Sequence, residues 1–141
     1  MKRIINFHQA VIASLFLTGL LILFHLAILI GILFFEYAPI ESLWGGQMKT
    51  AEQLFRFEIV SFLVSCVVFF LVLIKAKRLN MNRFVGLANI SMWVLFVLFL
   101  LNTFGNLMAK SNFEKFFAIF TGLLAFLLLR VALEKKVKER S

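Results

Sequence analysis

The residues best suited to chemistry in this sequence are a few polar side chains placed inside long apolar runs. His25 lies eleven residues before Glu36, which is about 16 Å of helix rise and places it near the middle of a membrane. A polar group at that depth is costly and is often functional, as a proton relay, a ligand contact or a metal ligand. A neutral imidazole bonded to Ser65 or Ser91 of a neighbouring helix is the alternative. Because no second histidine or acid lies three or four residues from His25, we predict no metal site.

A second set of polar residues lies where the second apolar run begins and the third one ends. Asn102, Asn106 and Lys110 are spaced by four, so they stack along one helix face. If the two helices are antiparallel neighbours, Glu58 meets this face and accepts hydrogen bonds from it. The predicted polar cluster is Glu58, Asn102, Asn106, Lys110 and Arg56, with Trp44 and Glu36 of the preceding loop closing over it. A ligand site and a structural lock between helices both remain open.

The composition indicates which solvent surrounds these residues. Hydrophobic residues make up 62% of the 141 positions, and the mean hydropathy is +0.99. So large an apolar excess exceeds what the core of a small soluble domain needs, whereas lipid tolerates it. The net charge of +8 comes from 15 lysines and arginines that gather at the ends of the apolar runs. This placement indicates membrane topology and a lipid bilayer as partner, with no nucleic acid. The lone cysteine, Cys66, excludes an internal disulfide.

Four apolar runs are long enough to cross the hydrocarbon as helices. The predicted spans are residues 10–35, 57–74, 84–104 and 116–133, joined by an outer loop over 36–56 and a cytoplasmic loop over 75–83, and followed by a cytoplasmic tail over 134–141. The first run is too long for a cleaved signal peptide, so we expect it to be retained. Short connections make sequential helices antiparallel, which predicts a single-domain, all-α, up-down-up-down bundle. Thr50, Asn82 and Ser111 are predicted helix caps, the first and last within capping boxes.

The basic residues also predict an orientation. Of the 15, 11 fall on the side of the two termini and the 75–83 loop, and 4 fall on the other side. The positive-inside rule therefore predicts cytoplasmic termini, and the charge bias fits a bacterial inner membrane.

Two segments carry a resemblance. They are Leu43-Trp44-Gly45-Gly46 with the later Phe57-Glu58, and Asn102-Thr103-Phe104-Gly105-Asn106 continuing to Ala109-Lys110 and Glu114-Lys115. They resemble a family of small bacterial four-span membrane proteins to which no activity is assigned. The resemblance implies a four-helix membrane fold and points to the same outer cluster. The sequence differs from the small multidrug resistance transporters, which need an acidic residue in the first span, because residues 10–35 contain none.

Three functions remain as hypotheses. The first is a non-enzymatic small-ligand binder or transporter component that uses the outer cluster, as a homodimer where a complete path is needed. The second is an accessory or assembly subunit that docks on a membrane-protein partner and uses the cluster only structurally. The third is a membrane enzyme with His25 and Glu58 as acid and base; it ranks last because no nucleophile, metal set or phosphate loop accompanies them. No cofactor is predicted.

Overall fold

Four long helices form the protein in the computed structural model, which describes residues 4–134. They are α1 (Phe7–Phe35), α2 (Ala51–Lys75), α3 (Val85–Met108) and α4 (Asn112–Ala132), with short 3₁₀ turns at Trp44–Gly46 and Asn82–Phe84. No strand occurs within residues 4–134. Each helix is long and apolar enough to cross a membrane. Of the predicted tail over 134–141, only Glu134 lies within the described residues. Lys2 and Arg3 also lie outside them.

The helices pack as an antiparallel ring, in which contact between α1 and α4 closes the sequence of neighbours α1, α2, α3 and α4. α3 packs most closely on α4, and α1 packs on α2 and α4, whereas α2 and α3 make the least contact of these pairs. The core is built by side chains such as Val11, Val72, Met92, Leu124 and Leu128. α4 is the most buried helix, with half of its span inside the bundle. The predicted all-α, up-down-up-down bundle is therefore confirmed.

Hydrogen bonds at the helix ends explain where three of the helices begin. The side chains of Thr50 and Ser111 accept the third backbone N–H of α2 and α4, so both predicted caps form. The reciprocal bonds of the two predicted capping boxes do not form, because Gln53 accepts the Lys49 N–H and Glu114 accepts the Gly45 N–H. Asn6 caps α1 in a full capping box with Gln9. These caps satisfy N–H groups that the first helical turn leaves without partners.

The predicted cap at Asn82 is wrong. Asn82 begins the 3₁₀ turn that precedes α3, and its backbone carbonyl accepts the N–H of Val85. Phe84 occupies the cap position of α3 and makes no side-chain cap bond. The turn thus supplies a backbone acceptor where the sequence predicted a side-chain acceptor.

Buried basic residues tie the helices together at the end of the bundle that holds the chain termini. The Lys75 ammonium donates to Asn89 Oδ1 at 2.5 Å and also to the Glu134 carbonyl. Arg130 donates from Nε to the Ile5 carbonyl and from both Nη atoms to Glu134 Oε2, each at 3.1 Å. We call Lys75, Asn89, Arg130 and Glu134 the basic clasp. It joins the start of the chain, α2, α3 and the end of α4, because buried charges need such partners.

Candidate functional site

A cavity of about 750 Å³ opens at the opposite end of the bundle. All four helices and the loop between α1 and α2 contribute to its wall. Its lining includes residues of α2 and α3, which are the adjacent helices in least contact, together with residues of α1 and α4. Cavities of a few hundred to about 1,000 Å³ are typical of sites for small molecules.

Trp44, Gly45 and Gly46 form a lid over this cavity. Their φ angles are 55°, 70° and 67°, so three successive residues have left-handed backbone. Glycine adopts this conformation freely, and a Cβ on Gly46 would lie 3.2 Å from the Glu41 carbonyl oxygen. Trp44 is strained there, since left-handed backbone is unfavourable for a residue with a large side chain. Something must therefore hold the Trp44 side chain in place.

Glu58 of α2 supplies that hold from below the lid. Its carboxylate is 1% exposed and accepts the Trp44 indole N–H at Oε1, at 2.9 Å. Its other oxygen, Oε2, lies 2.6 Å from Nδ1 of His25 on α1, whose side chain is 12% exposed. An ionised Glu58 accepts both bonds, with the histidine proton on Nδ1. The Trp44 ring also packs against Phe57, with centroids 5.2 Å apart.

Glu114 of α4 holds the lid from a second side. It is 6% exposed, and its Oε1 accepts the Gly45 backbone N–H at 2.6 Å. Its Oε2 accepts the hydroxyl of Ser111 at 2.9 Å, while that hydroxyl also caps α4. Two buried carboxylates on different helices thus bind adjacent residues of one strained turn.

Aromatic rings build the apolar wall of the cavity. Phe24 of α1 packs against both Phe113 and Phe117 of α4, with ring centroids 5.9 and 5.2 Å away. Phe113 and Phe117 are 5.8 Å apart, and Phe24 also meets the His25 ring edge-on at 5.4 Å. This cluster joins α1 to α4 at the wall of the cavity.

The polar face predicted on α3 lies in the cavity wall but is not bonded to Glu58. Asn102, Asn106 and Lys110 all line the cavity, yet both Glu58 oxygens are occupied by Trp44 and His25. Asn106 instead donates to Thr121 Oγ1 on α4 at 3.4 Å. The expected hydrogen bonds are absent from the described residues because the cavity separates α2 from α3.

The remaining predicted site residues occupy different places. Trp44 closes over the cavity, as expected of the outer loop. Arg56 is exposed and pairs with Glu52 at 2.5 Å, one turn away on the same helix, and it is not part of the cavity wall. Glu36 is exposed and ends α1 in left-handed conformation, also away from the wall. His25, predicted as a separate midplane site with a serine bond as the alternative, lies against Glu58 in the structure.

The role of Glu114 at this site is not apparent from the sequence. The spacing of Ser111 and Glu114 predicts a capping box, in which Glu114 needs no partner from a distant part of the chain. A signal was present, since Glu114 is one of five glutamates on the same side of the chain as the Gly45-Gly46 turn. The sequence has 19 phenylalanines, and nothing in it distinguishes Phe24, Phe113 and Phe117 from the others.

The fold and the cavity define a class: a multi-pass, four-helix membrane protein with a ligand-sized cavity at one end. Within the described residues, no group of three His, Cys, Asp or Glu side chains could hold a metal ion. Comparison of the chain with protein-family models, curated proteins and solved structures gave no match. The cavity and its lining residues are therefore the features of this protein from which a function can be inferred.

Proposed function

We propose that this protein binds a small amphipathic molecule in the cavity beneath the Trp44 lid. The observation that carries the proposal is a buried carboxylate–histidine pair, Glu58 with His25, which lies in the wall of a 750 Å³ cavity. Ionisable groups inside a membrane span are expensive and commonly mark ligand or ion pathways. A purely structural pair would be expected within a packed core, where no cavity adjoins it.

The chemistry of the wall favours a molecule with one polar end and one apolar body. Phe24, Phe113 and Phe117 form one side, while Glu58 and Asn102 supply polar atoms on others. Ligand pockets in general combine an apolar lining with a few convergent polar groups that set the orientation. An entirely polar solute would leave the phenylalanine wall without a partner.

The gap between α2 and α3 provides the entrance. Val60, Val64 and Met108 line the cavity and are also exposed on the outside of the bundle. In a bilayer this outside surface faces lipid. A molecule dissolved in the membrane therefore reaches the cavity sideways, without crossing the helix packing.

Native mass spectrometry of the purified protein tests the proposal. The wild-type chain released from mild detergent should retain a small molecule in one-to-one stoichiometry, and Ser61→Phe, which fills the cavity from α2, should not. Val97→Phe, an exposed position on α3 outside the cavity wall, is the matched control and should retain it. A chain that carries no small molecule but co-purifies with one stoichiometric protein would contradict the proposal and favour the accessory-subunit function.

A membrane enzyme is the second candidate, because His25 and Glu58 meet in one cavity and acid–base chemistry requires this. We rank it below ligand binding, because binding needs only the cavity and its polar atoms, whereas catalysis also needs a reactive group placed beside the pair. The enzyme would be favoured if the wild-type protein converts the retained molecule into a product and His25→Gln still binds this molecule but no longer converts it.

We further propose that the protein lies in a bacterial inner membrane with both termini cytoplasmic, which places the lid on the outer side. The support is the bias of lysines and arginines toward the termini and the 75–83 loop. Gln47→Cys and Leu79→Cys, each in a Cys66→Ser background, should react with impermeant thiol reagents from opposite faces. Labelling of both from one face would refute this orientation.

A further inference from the structure

We infer that the ligand of the cavity is a lipophilic cation, a membrane-soluble amine or onium ion whose charge lies against Glu58. This inference rests on the proposed function and names the ligand class. It depends on three features of the wall: its two buried glutamates, its aromatic rings and the acceptor capacity of the Glu58 carboxylate.

The buried charge of the wall is negative. Glu58 and Glu114 both line the cavity and are almost completely buried. Lys110 is the one lysine or arginine among the lining residues in the described chain, and it is exposed, so solvent screens it. An anionic ligand would meet two carboxylates, whereas a cation would compensate them.

The aromatic lining adds attraction of the same sign. The face of an aromatic ring carries partial negative charge and attracts cations within about 6 Å of its centroid. Phe24, Phe113 and Phe117 form a continuous cluster beside His25, and Trp44 covers the cavity from the lid. Rings and carboxylates together are the combination that proteins use for substituted ammonium groups, for which hydrogen bonds alone are insufficient.

The Glu58 carboxylate has capacity left for a ligand. An ionised carboxylate offers about four acceptor positions over its two oxygens. Trp44 uses one position on Oε1 and His25 one on Oε2, so a ligand N–H is accepted without breaking either bond. A quaternary ion, which has no donor, is held by the charge of the carboxylate and by the aromatic rings. The apolar route between α2 and α3 selects cations that are soluble in lipid.

Tetraphenylphosphonium is the probe for this inference, and two molecules of similar shape serve as comparators. They are the anion tetraphenylborate and the neutral triphenylphosphine oxide. Binding is measured on the full chain in lipid nanodiscs, with empty nanodiscs subtracted. We expect saturable one-to-one binding of the cation at least tenfold tighter than that of either comparator. Glu58→Gln should weaken cation binding at least tenfold, while Glu52→Gln, an exposed glutamate on the same helix, should leave it unchanged.

A second variant keeps the test valid if Glu58→Gln does not fold. Phe117→Leu keeps an apolar side chain in the wall but removes one aromatic ring, so it should weaken binding of the cation severalfold more than binding of the neutral comparator. The inference of a cation is overturned if all three probes bind with similar affinity and their binding is unchanged in Glu58→Gln. If Ser61→Phe abolishes that binding, the cavity is still a ligand site. If no probe binds above the empty nanodiscs, the inference and the proposed function both fail.

Discussion

Replacing Trp44 with phenylalanine tests whether the lid is held by Glu58. The substitution keeps a ring that packs on Phe57 but removes the indole N–H that donates to Glu58 Oε1 at 2.9 Å. A hydrogen bond to a charged group contributes about 1.5–3 kcal/mol. At 1.4 kcal/mol for each tenfold change, the lid should open roughly 10- to 150-fold more often.

Hydrogen exchange of the lid amides measures this change. The Gly45, Gly46 and Gln47 N–H groups are bonded to Glu114, Leu43 and Trp44 respectively in the closed lid. We expect their exchange in Trp44→Phe to accelerate by the same roughly 10- to 150-fold, because exchange requires opening.

The control is Trp93→Phe, which alters the other tryptophan at an exposed position of α3 and should leave lid exchange unchanged. Protection within about twofold of wild type in Trp44→Phe would refute the reasoning, since the lid would then be held without Glu58.

Two further predictions concern the lid backbone and the basic clasp. Gly46→Ala should destabilise the closed lid by about 1–2 kcal/mol, because the φ of 67° at this position is unfavourable for a residue with a Cβ. Faster hydrogen exchange of the lid amides measures this change. Gly19→Ala is the control, since a Cβ there has no atom within 4 Å, and it should leave lid exchange unchanged. Lys75→Met should lower the thermal midpoint in detergent, since it leaves the Asn89 and Glu134 oxygens without their donor at about 1–3 kcal/mol each. Exposed Lys49→Met is its control, and equal midpoints for the two variants would contradict a structural clasp.

The sequence alone was enough to predict the helices, because their lengths are set by the bilayer and their ends by local hydrogen bonds. Thr50 and Ser111 cap their helices through residues three positions away, so both caps are legible in the sequence. Asn82 failed as a cap because a 3₁₀ turn and a helix begin with similar residues.

The pairing of His25 with Glu58 was not predictable in the same way. The two residues are 33 positions apart, and their meeting depends on how α1 and α2 are rotated about their axes. In a soluble helix the apolar stripe reveals that rotation, but here lipid and core are both apolar, so α1 is hydrophobic all round. For the same reason the sequence could not show that Lys75 and Arg130 turn inward, and both were assigned to topology alone.

The two ends of the bundle are built for different tasks, as their hydrogen bonds show. At the clasp, Lys75 and Arg130 donate to three carbonyl or carboxylate groups and one amide, and none of these residues has left-handed backbone. At the lid, the left-handed φ of Trp44 costs about 1–3 kcal/mol, which is close to the contribution of its bond to Glu58. The bond to Glu58 thus offsets the backbone strain at Trp44, and the Glu114 bond to Gly45 further stabilises the closed lid. Because Glu58 holds the lid and also lines the cavity, a molecule bound at its carboxylate lies against the group that holds the lid, whereas the basic clasp lies at the opposite end of the bundle.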